Sequence, residues 1–385
     1  MTSDPRLLGL RPARARVDLD RLEANYRALC DFAGIPLMPV VKADAYGHGA
    51  VMIARQLEAL GAPAFAVALV EEAIELRLAG IAAPLVVLNG LTASQAPLLW
   101  RHDLTPVLSG PAMLEAFLAG ASASRPVHVK VDTGMGRLGF APGELRAVCR
   151  RLADSGHAVQ GVMTHLASAD EDPAATARQL DCFDALLLEL AHAGVRPRWV
   201  HAANSAGLAQ LRPSHTLARP GLLLYGLPTR PLAPAVRVRP VLQVSADVQL
   251  IKVVPAGTPF GYGGRFVTTR PSRIATLPLG YADGVPRTDA MRERGRLLLH
   301  GQRVPVAGTV SMDMTQVDVT DVPEAREGDA AVLFGDEPTA WDVADWAGTN
   351  AWDTLTRVGL RVPRGYVRGE RVIDVDSHYA PLEPA

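Results

Sequence analysis

Eight short apolar, β-branched bursts separated by helix-patterned segments constrain this chain more than any other feature. The bursts fall at 35–41, 64–70, 85–89, 104–108, 127–131, 159–164, 198–202 and 216–225, with helical patterns such as 71–79, 111–119, 143–153, 174–193 and 205–211 between them. Apolar runs of this length, bounded by turn residues, read as strands buried on both faces. Repeated eight times with intervening helices, they are the signature of an α/β fold, a (β/α)8 TIM-like barrel. An open doubly wound sheet is the runner-up, but no Gly-x-Gly-x-x-Gly follows the first burst. A short strand over 14–19 and a helix capped by Asp20 precede the first repeat.

After Pro228 the texture changes. Pro228, Pro231, Pro234 and Pro240 mark a linker, and β-like alternation follows at 236–251, 273–279, 297–310 and 330–334, with one helical piece over 342–358. The expectation is a barrel domain over 1–235, including the short N-terminal strand and helix, followed by a β-rich second domain over 236–385. Hydrophobic residues make up 48% of the 385, without the run of 18 or more that a membrane helix needs. The N-terminal stretch carries arginines and Asp4 but no continuous apolar core, so it does not read as a signal peptide. A net charge of −1 with no basic tract argues against nucleic acid or an anionic membrane as partner. Cys30, Cys149 and Cys182 show no metal-ligand spacing and read as reduced thiols. These features predict a soluble cytoplasmic enzyme without a metal.

Chemistry-bearing residues cluster where the bursts end. Lys42 follows the first, Asp132 to Arg137 the fifth, His165 the sixth, Asn204 and Ser205 the seventh, and Arg219 and Gly221 lie in the eighth. Barrel active sites sit at the C-terminal face, often with a phosphate held after strands seven and eight. Asn204-Ser205 opens a predicted helix whose free N–H groups suit such a phosphate. Only three of the 39 basic residues are lysines, Lys42, Lys130 and Lys252, so a retained lysine is one that needs its amine. An amine at a strand end requires a carbonyl partner to act covalently, and the aldehyde of pyridoxal phosphate is one. Taken singly, Lys42 could be a solvated surface lysine, Arg219 a structural ion-pair partner, and His165 or His201 a satisfied core histidine.

Val40-Val41-Lys42-Ala43-Asp44-Ala45-Tyr46-Gly47-His48-Gly49 resembles the cofactor-lysine motif of the alanine racemases. Arg219-Pro220-Gly221, Asp132-Thr133-Gly134-Met135-Gly136-Arg137-Leu138-Gly139, Tyr281-Ala282-Asp283-Gly284, Ser311-Met312-Asp313 and Arg361-Val362-Pro363-Arg364-Gly365-Tyr366 are similar to further family segments, so the likeness spans about 17 to 366. It implies pyridoxal 5′-phosphate held on Lys42, and Lys42 and Tyr281 as bases on opposite faces of an amino-acid substrate, alanine. It also implies a homodimer in which Tyr281 comes from the partner subunit. Arg219 would face the pyridine nitrogen, with His165 as relay backed by His201. Arg137 and the Met312 backbone would meet the substrate carboxylate, Asp313 standing beside Met312 and Lys130, often carbamylated in the family, anchoring Arg137. Tyr46, Asn204, Ser205, the Gly221 and Leu222 amides and Tyr366 would surround the phosphate. Phe260-Gly261-Tyr262-Gly263-Gly264-Arg265 looks like a phosphate loop at a glance, but a β-turn is the better reading because the barrel already supplies an anion site. Val285, Met314 and 348–353 depart from the family pattern. A broad-specificity racemase, a decarboxylase of the same barrel class and a non-catalytic cofactor-binding barrel remain the alternatives.

Overall fold

The computed structural model describes residues 11–121, 124–229 and 236–378. Pro231 and Pro234 of the expected linker lie outside them, as does Asp4. The described chain forms two compact units: one of 11–22, 46–49 and 239–378, the other of 23–45 and 50–238, apart from the residues not described.

In the second of these units, six parallel strands pair in sequence order: Phe65–Val67, Leu85–Val87, Leu104–Leu108, Pro126–Lys130, Ala158–Met163 and Trp199–His201. The first and eighth bursts complete the ring through single bridges rather than full ladders, Leu37 with Ala218 and Val40 with Ala66. Backbone bonds close it, from Met38 N to Ala218 O at 2.8 Å, from Ala66 N to Pro39 O at 2.9 Å and from Thr216 N to Val200 O at 3.0 Å. Pro36 and Pro39 lack N–H groups, which is why a burst of strand-like composition pairs so sparingly.

Helices cover the outside of this ring. Leu145, Val148, Cys149 and Leu152 form the buried stripe of helix Leu145–Asp154, at the spacing an amphipathic helix requires. The longest helix, Pro173–His192, starts on Asp172, whose carboxylate accepts from Ala175 N at 2.8 Å, with Pro173 at a position where its missing donor costs nothing.

One segment is unusual. After Lys42 the chain makes a single left-handed turn, with φ of 51° at Ala43, 55° at Asp44, 51° at Ala45, 55° at Tyr46 and 77° at Gly47. Left-handed geometry costs an L-residue roughly 1–2 kcal/mol, so four non-glycine residues in a row need external support. Glu72 provides some of it: one carboxylate oxygen accepts from Ala43 N at 2.7 Å, the other from Ala68 N at 2.7 Å and Leu69 N at 3.1 Å. Asp44 accepts from Ala50 N at 2.7 Å, tying the turn to the following helix.

The other unit is β-rich. Its seven-stranded sheet runs Gln302–Pro305, Arg296–Leu299, Ala330–Phe334, Leu242–Asp247, Ala13–Asp18, Arg364–Arg368 and Arg371–Asp376. The N-terminal strand Ala13–Asp18 is therefore an inner strand of this sheet, parallel to Arg364–Arg368 and antiparallel to Leu242–Asp247. A second sheet joins Thr315–Asp318, Ser272–Leu277 and Leu250–Val254. Three local expectations need correction. The helix after the first strand is capped by Asp18, which accepts from Arg21 N at 3.0 Å, and Asp20 lies inside its first turn. The single helical piece over 342–358 is two helices, Ala340–Ala347 and Ala351–Thr356, interrupted at Gly348 with φ 74°. The helix expected over 205–211 is a short 3-10 turn, Ala206–Gln210.

Replacing Glu72 with alanine removes three acceptors from backbone donors that hold the strained turn. The expected loss is about 2 kcal/mol of stability, read as a lower midpoint at unchanged slope in chemical denaturation.

Candidate active site

The barrel unit gathers four cations at the C-terminal ends of its strands. Lys42 heads the left-handed turn after the first strand. Burial lowers its proton affinity, the Arg137 charge lowers it further, and Glu72 partly offsets both. Lys130 ends the fifth strand, is 4% exposed and is pushed down to about 8, first by burial and then by Arg137 and Arg219, against a smaller pull from Asp132. The loop after that strand folds around Asp132, whose carboxylate accepts from Gly134 N at 2.9 Å, Met135 N at 2.8 Å and Gly136 N at 2.8 Å. Gly139 closes the loop with φ +136°, and a Cβ there would stand 2.5 Å from Asp132 N. Arg137 projects from the loop, exposed.

Arg219 is the fourth cation and it is buried. One terminal nitrogen donates to His201 Nδ1 and His201 O, both at 2.7 Å; the other donates to Thr164 O and Ala202 O at 3.0 Å and to His165 Nδ1 at 3.3 Å. No carboxylate pairs with it among the described residues. A guanidinium only donates, so both imidazoles must offer it a lone pair and stay neutral. Burial, with Arg219 as the next cause, drives His165 down to about 3 and His201 well below the usual histidine range.

The predicted phosphate end takes a different form from the expected helix terminus. Asn204 Oδ1 accepts from Gly207 N at 2.9 Å, occupying a donor that the sequence left free. Ser205 Oγ accepts from Gly221 N at 3.0 Å and Leu223 N at 3.2 Å, so Asn204, Ser205, Gly221 and Leu222 do share one corner of the barrel. Tyr46 and Tyr366 belong to the β-rich unit; Tyr46 is buried and held up at about 12 by burial, and a Cβ at Gly49 would stand 1.8 Å from the Tyr366 hydroxyl.

That unit also carries Tyr281, Met312 and Asp313, brought together by backbone contact. Tyr281 N donates to Ser311 O and Ala282 N to Met312 O, both at 3.0 Å, and a Cβ at Gly280 would lie 2.3 Å from Met312 O. Asp283 pins the tyrosine turn from behind: it accepts from Gly280 N at 2.8 Å and pairs with Arg11 and, at 3.5 Å, Arg361. Arg361 reaches on to Asp313 at 2.7 Å. Tyr281 is 38% and Met312 51% exposed in the single chain, with the Arg287 guanidinium 5.5 Å from the Tyr281 ring centre. Sequence reasoning did not single out Glu72, Arg11, Asp283, Arg361 or His128, although Asp283 and Arg361 stood inside quoted motifs. Phe260 to Arg265 forms a hairpin turn between strands Pro259–Phe260 and Phe266–Val267, with Gly261, Gly263 and Gly264 at positive φ, as the β-turn reading expects.

Among the described residues no helix is long and apolar enough to cross a membrane. Two family profiles tile the chain, "Alanine racemase, N-terminal domain" over residues 17–229 and "Alanine racemase, C-terminal domain" over 241–366. An alanine racemase of Symbiobacterium thermophilum is 43% identical over 370 residues, covering 93% of this chain and 98% of the relative. The solved alanine racemase of Clostridium difficile superposes with a TM-score of 0.89 at 30% identity, covering 95% of this chain and 98% of that one. That of Bacillus anthracis, solved with bound L-Ala-P, gives 0.88 at 31% identity, with 96% and 98% covered.

Histidines 128, 165 and 201 are all held neutral by the fold, with His128 lowered to about 4. In the unfolded chain they bind protons below about pH 6.5, so the unfolded state takes up more protons and stability falls as pH drops from 6.5 toward 4. His128→Asn should flatten that slope by about 1.4 kcal/mol per pH unit, measured by denaturation across the window.

Proposed function

The chain belongs to the alanine racemase family, which interconverts L- and D-alanine with pyridoxal 5′-phosphate, and we propose that it does so through two bases, Lys42 and Tyr281. The observation that carries this reading is the Lys42 amine, fixed at the head of a strained turn and made a weaker base by burial and Arg137. The barrel's donor set fits the cofactor: cations outnumber carboxylates, Asp132 is occupied by its own loop, and Arg219 presents a donor-only group. When bound, the cofactor supplies the aldehyde that captures an amine and the electron sink that acidifies the substrate Cα–H.

The residues divide the remaining work. Lys42 removes or returns the Cα proton on one face and the Tyr281 phenol does so on the other, with His165 as the relay for the tyrosine, its Nδ1 held by Arg219. Arg219 orients the pyridine nitrogen without giving up a proton, and His201 holds Arg219. Arg137 and the Met312 backbone orient the substrate carboxylate, with Asp313 fixing the Met312 loop. Asn204, Ser205, the Gly221 and Leu222 amides, Tyr46 and Tyr366 hold the phosphate. The exposed Tyr281 and Met312 favour a homodimer in which each copy lends them to the other's site. Such an enzyme would work in the cytoplasm and supply D-alanine for peptidoglycan.

Lys130 carries a carbamate in this reading. The ammonium first gives one proton to solvent; the neutral amine then attacks carbon dioxide, a C–N bond forms as one C=O π bond opens, and a second proton leaves, so that an anion replaces a cation beside Arg137. A buried amine lowered to about 8 favours the neutral nucleophile this needs. Intact-protein mass measured under non-acidic conditions should show one added carbon dioxide, lost in acid and absent in Lys130→Met; an unmodified mass would refute the carbamate.

Incubating the holoenzyme with L-alanine in deuterated water should exchange the Cα proton and invert the centre. Tyr281→Phe should keep the cofactor and lose about 10²–10⁴ in rate, with exchange lost preferentially from one enantiomer. Equal loss from both would sink the assignment of faces, and absence of exchange in the parent protein would sink the racemase reading.

A further inference from the structure

Behind Arg219 the polar contacts continue into the barrel, where the reaction as described has no use for them. His201 sends its second ring nitrogen, Nε2, to His128 Nδ1 at 2.9 Å, and both rings are fully buried. His128 sits mid-strand in Pro126–Lys130, with the Trp199 ring edge-on at 5.5 Å. The neighbouring strand makes room for it: a Cβ on Gly161 would stand 2.6 Å from His128 Nδ1, so any larger residue there collides with the imidazole. His128 Nε2 and Gln160 Oε1 are both buried without a hydrogen-bond partner.

Donor and acceptor counting fixes every proton in this series. Arg219 donates into His201 Nδ1, so that nitrogen carries no hydrogen. A neutral His201 then bears its proton on Nε2 and donates it to His128 Nδ1. His128 in turn bears its proton on Nε2. If His128 were reversed, two N–H groups would meet at 2.9 Å, or His201 would turn an N–H toward a guanidinium; either leaves buried donors opposed.

We propose that His128 is a positioning residue: it locks the His201 tautomer that presents a lone pair to Arg219, and so fixes the guanidinium at the barrel mouth. The proposal deepens the racemase reading and rests on it for Arg219's role, but the hydrogen-bond series can be tested without turnover.

The direct test is 15N NMR of the histidine-labelled holoenzyme, in which N–H and bare ring nitrogens give well-separated signals. Both His128 and His201 should be neutral Nε2–H tautomers; an Nδ1–H on His201 would overturn the proposal. His128→Leu removes the acceptor and should mix the His201 tautomers, loosen retention of the cofactor and lower kcat about tenfold at little-changed KM. His128→Asn places an amide oxygen where Nδ1 stood and should restore the single tautomer and most of the rate. Equal losses in the Leu and Asn variants, both folded by near-ultraviolet circular dichroism, would overturn it as well. If His128→Leu does not fold, the parent spectrum and the Asn variant decide. A parent protein with the expected tautomers and no racemase activity would refute the catalytic reading while leaving the lock in place.

Discussion

A guanidinium buried without a counter-ion is the constraint around which this barrel is arranged. Transferring an isolated cation from water costs several kcal/mol even after relaxation. Among the described residues, Arg219 is compensated by neutral acceptors alone: three backbone carbonyls at the ends of the sixth and seventh strands and two imidazole nitrogens. Hydrogen bonds to a charged group contribute about 1.5–3 kcal/mol each, enough to hold the ion provided none of the acceptors is itself protonated. Neutrality of His165 and His201 is therefore a condition of the fold before it is a feature of any reaction. Burial first, and Arg219 next, make those rings bind protons weakly.

The same arithmetic extends to the rim. Two carboxylates lie near the four cations, and backbone donors engage both: Glu72 holds Ala43, Ala68 and Leu69, and Asp132 holds its own loop. Each therefore does structural work first and offsets only in part the burial and neighbouring cations that lower the proton affinity of Lys42 and Lys130. A rim with surplus positive charge favours phosphate and carboxylate groups over water. It also keeps a fraction of amine unprotonated, as covalent capture of an aldehyde requires.

Much of this was legible in the chain because a barrel puts its polar residues at strand ends, and a strand end can be read from where an apolar burst stops. Lys42, Lys130, Asp132, Arg137, His165, Ser205 and Arg219 all fall within the barrel unit for that reason. What escaped was anything set by hydrogen-bond geometry rather than pattern. Pro36 and Pro39 sit inside a burst of strand composition and limit its pairing to single bridges. Asp18 and Asp20 are equally good caps in sequence, and only the backbone decides for Asp18. The left-handed run through Ala43, Asp44, Ala45 and Tyr46 has no signature, since only Asp44 among them favours such geometry. His128 was not singled out at all, because its meaning depends on Gly161 of the next strand, thirty-odd positions away, having no side chain.

The tyrosine turn of the β-rich unit shows the opposite economy. Its backbone is over-determined by two bonds to the Met312 loop, a glycine that admits no Cβ, and a buried carboxylate shared by Gly280, Arg11 and Arg361. Yet Tyr281 and Met312, the side chains that scaffold presents, remain well exposed. A fold that needed these groups only for its own packing would bury them, because exposed apolar surface forgoes about 25 cal/mol per Å². Rigid backbone beneath exposed side chains instead settles the ordering entropy during folding, before any encounter, and that entropy is a principal charge against binding. The cost falls on the buried Asp283 network, which explains why two separate segments of the chain, at Arg11 and Arg361, converge on a turn of three residues.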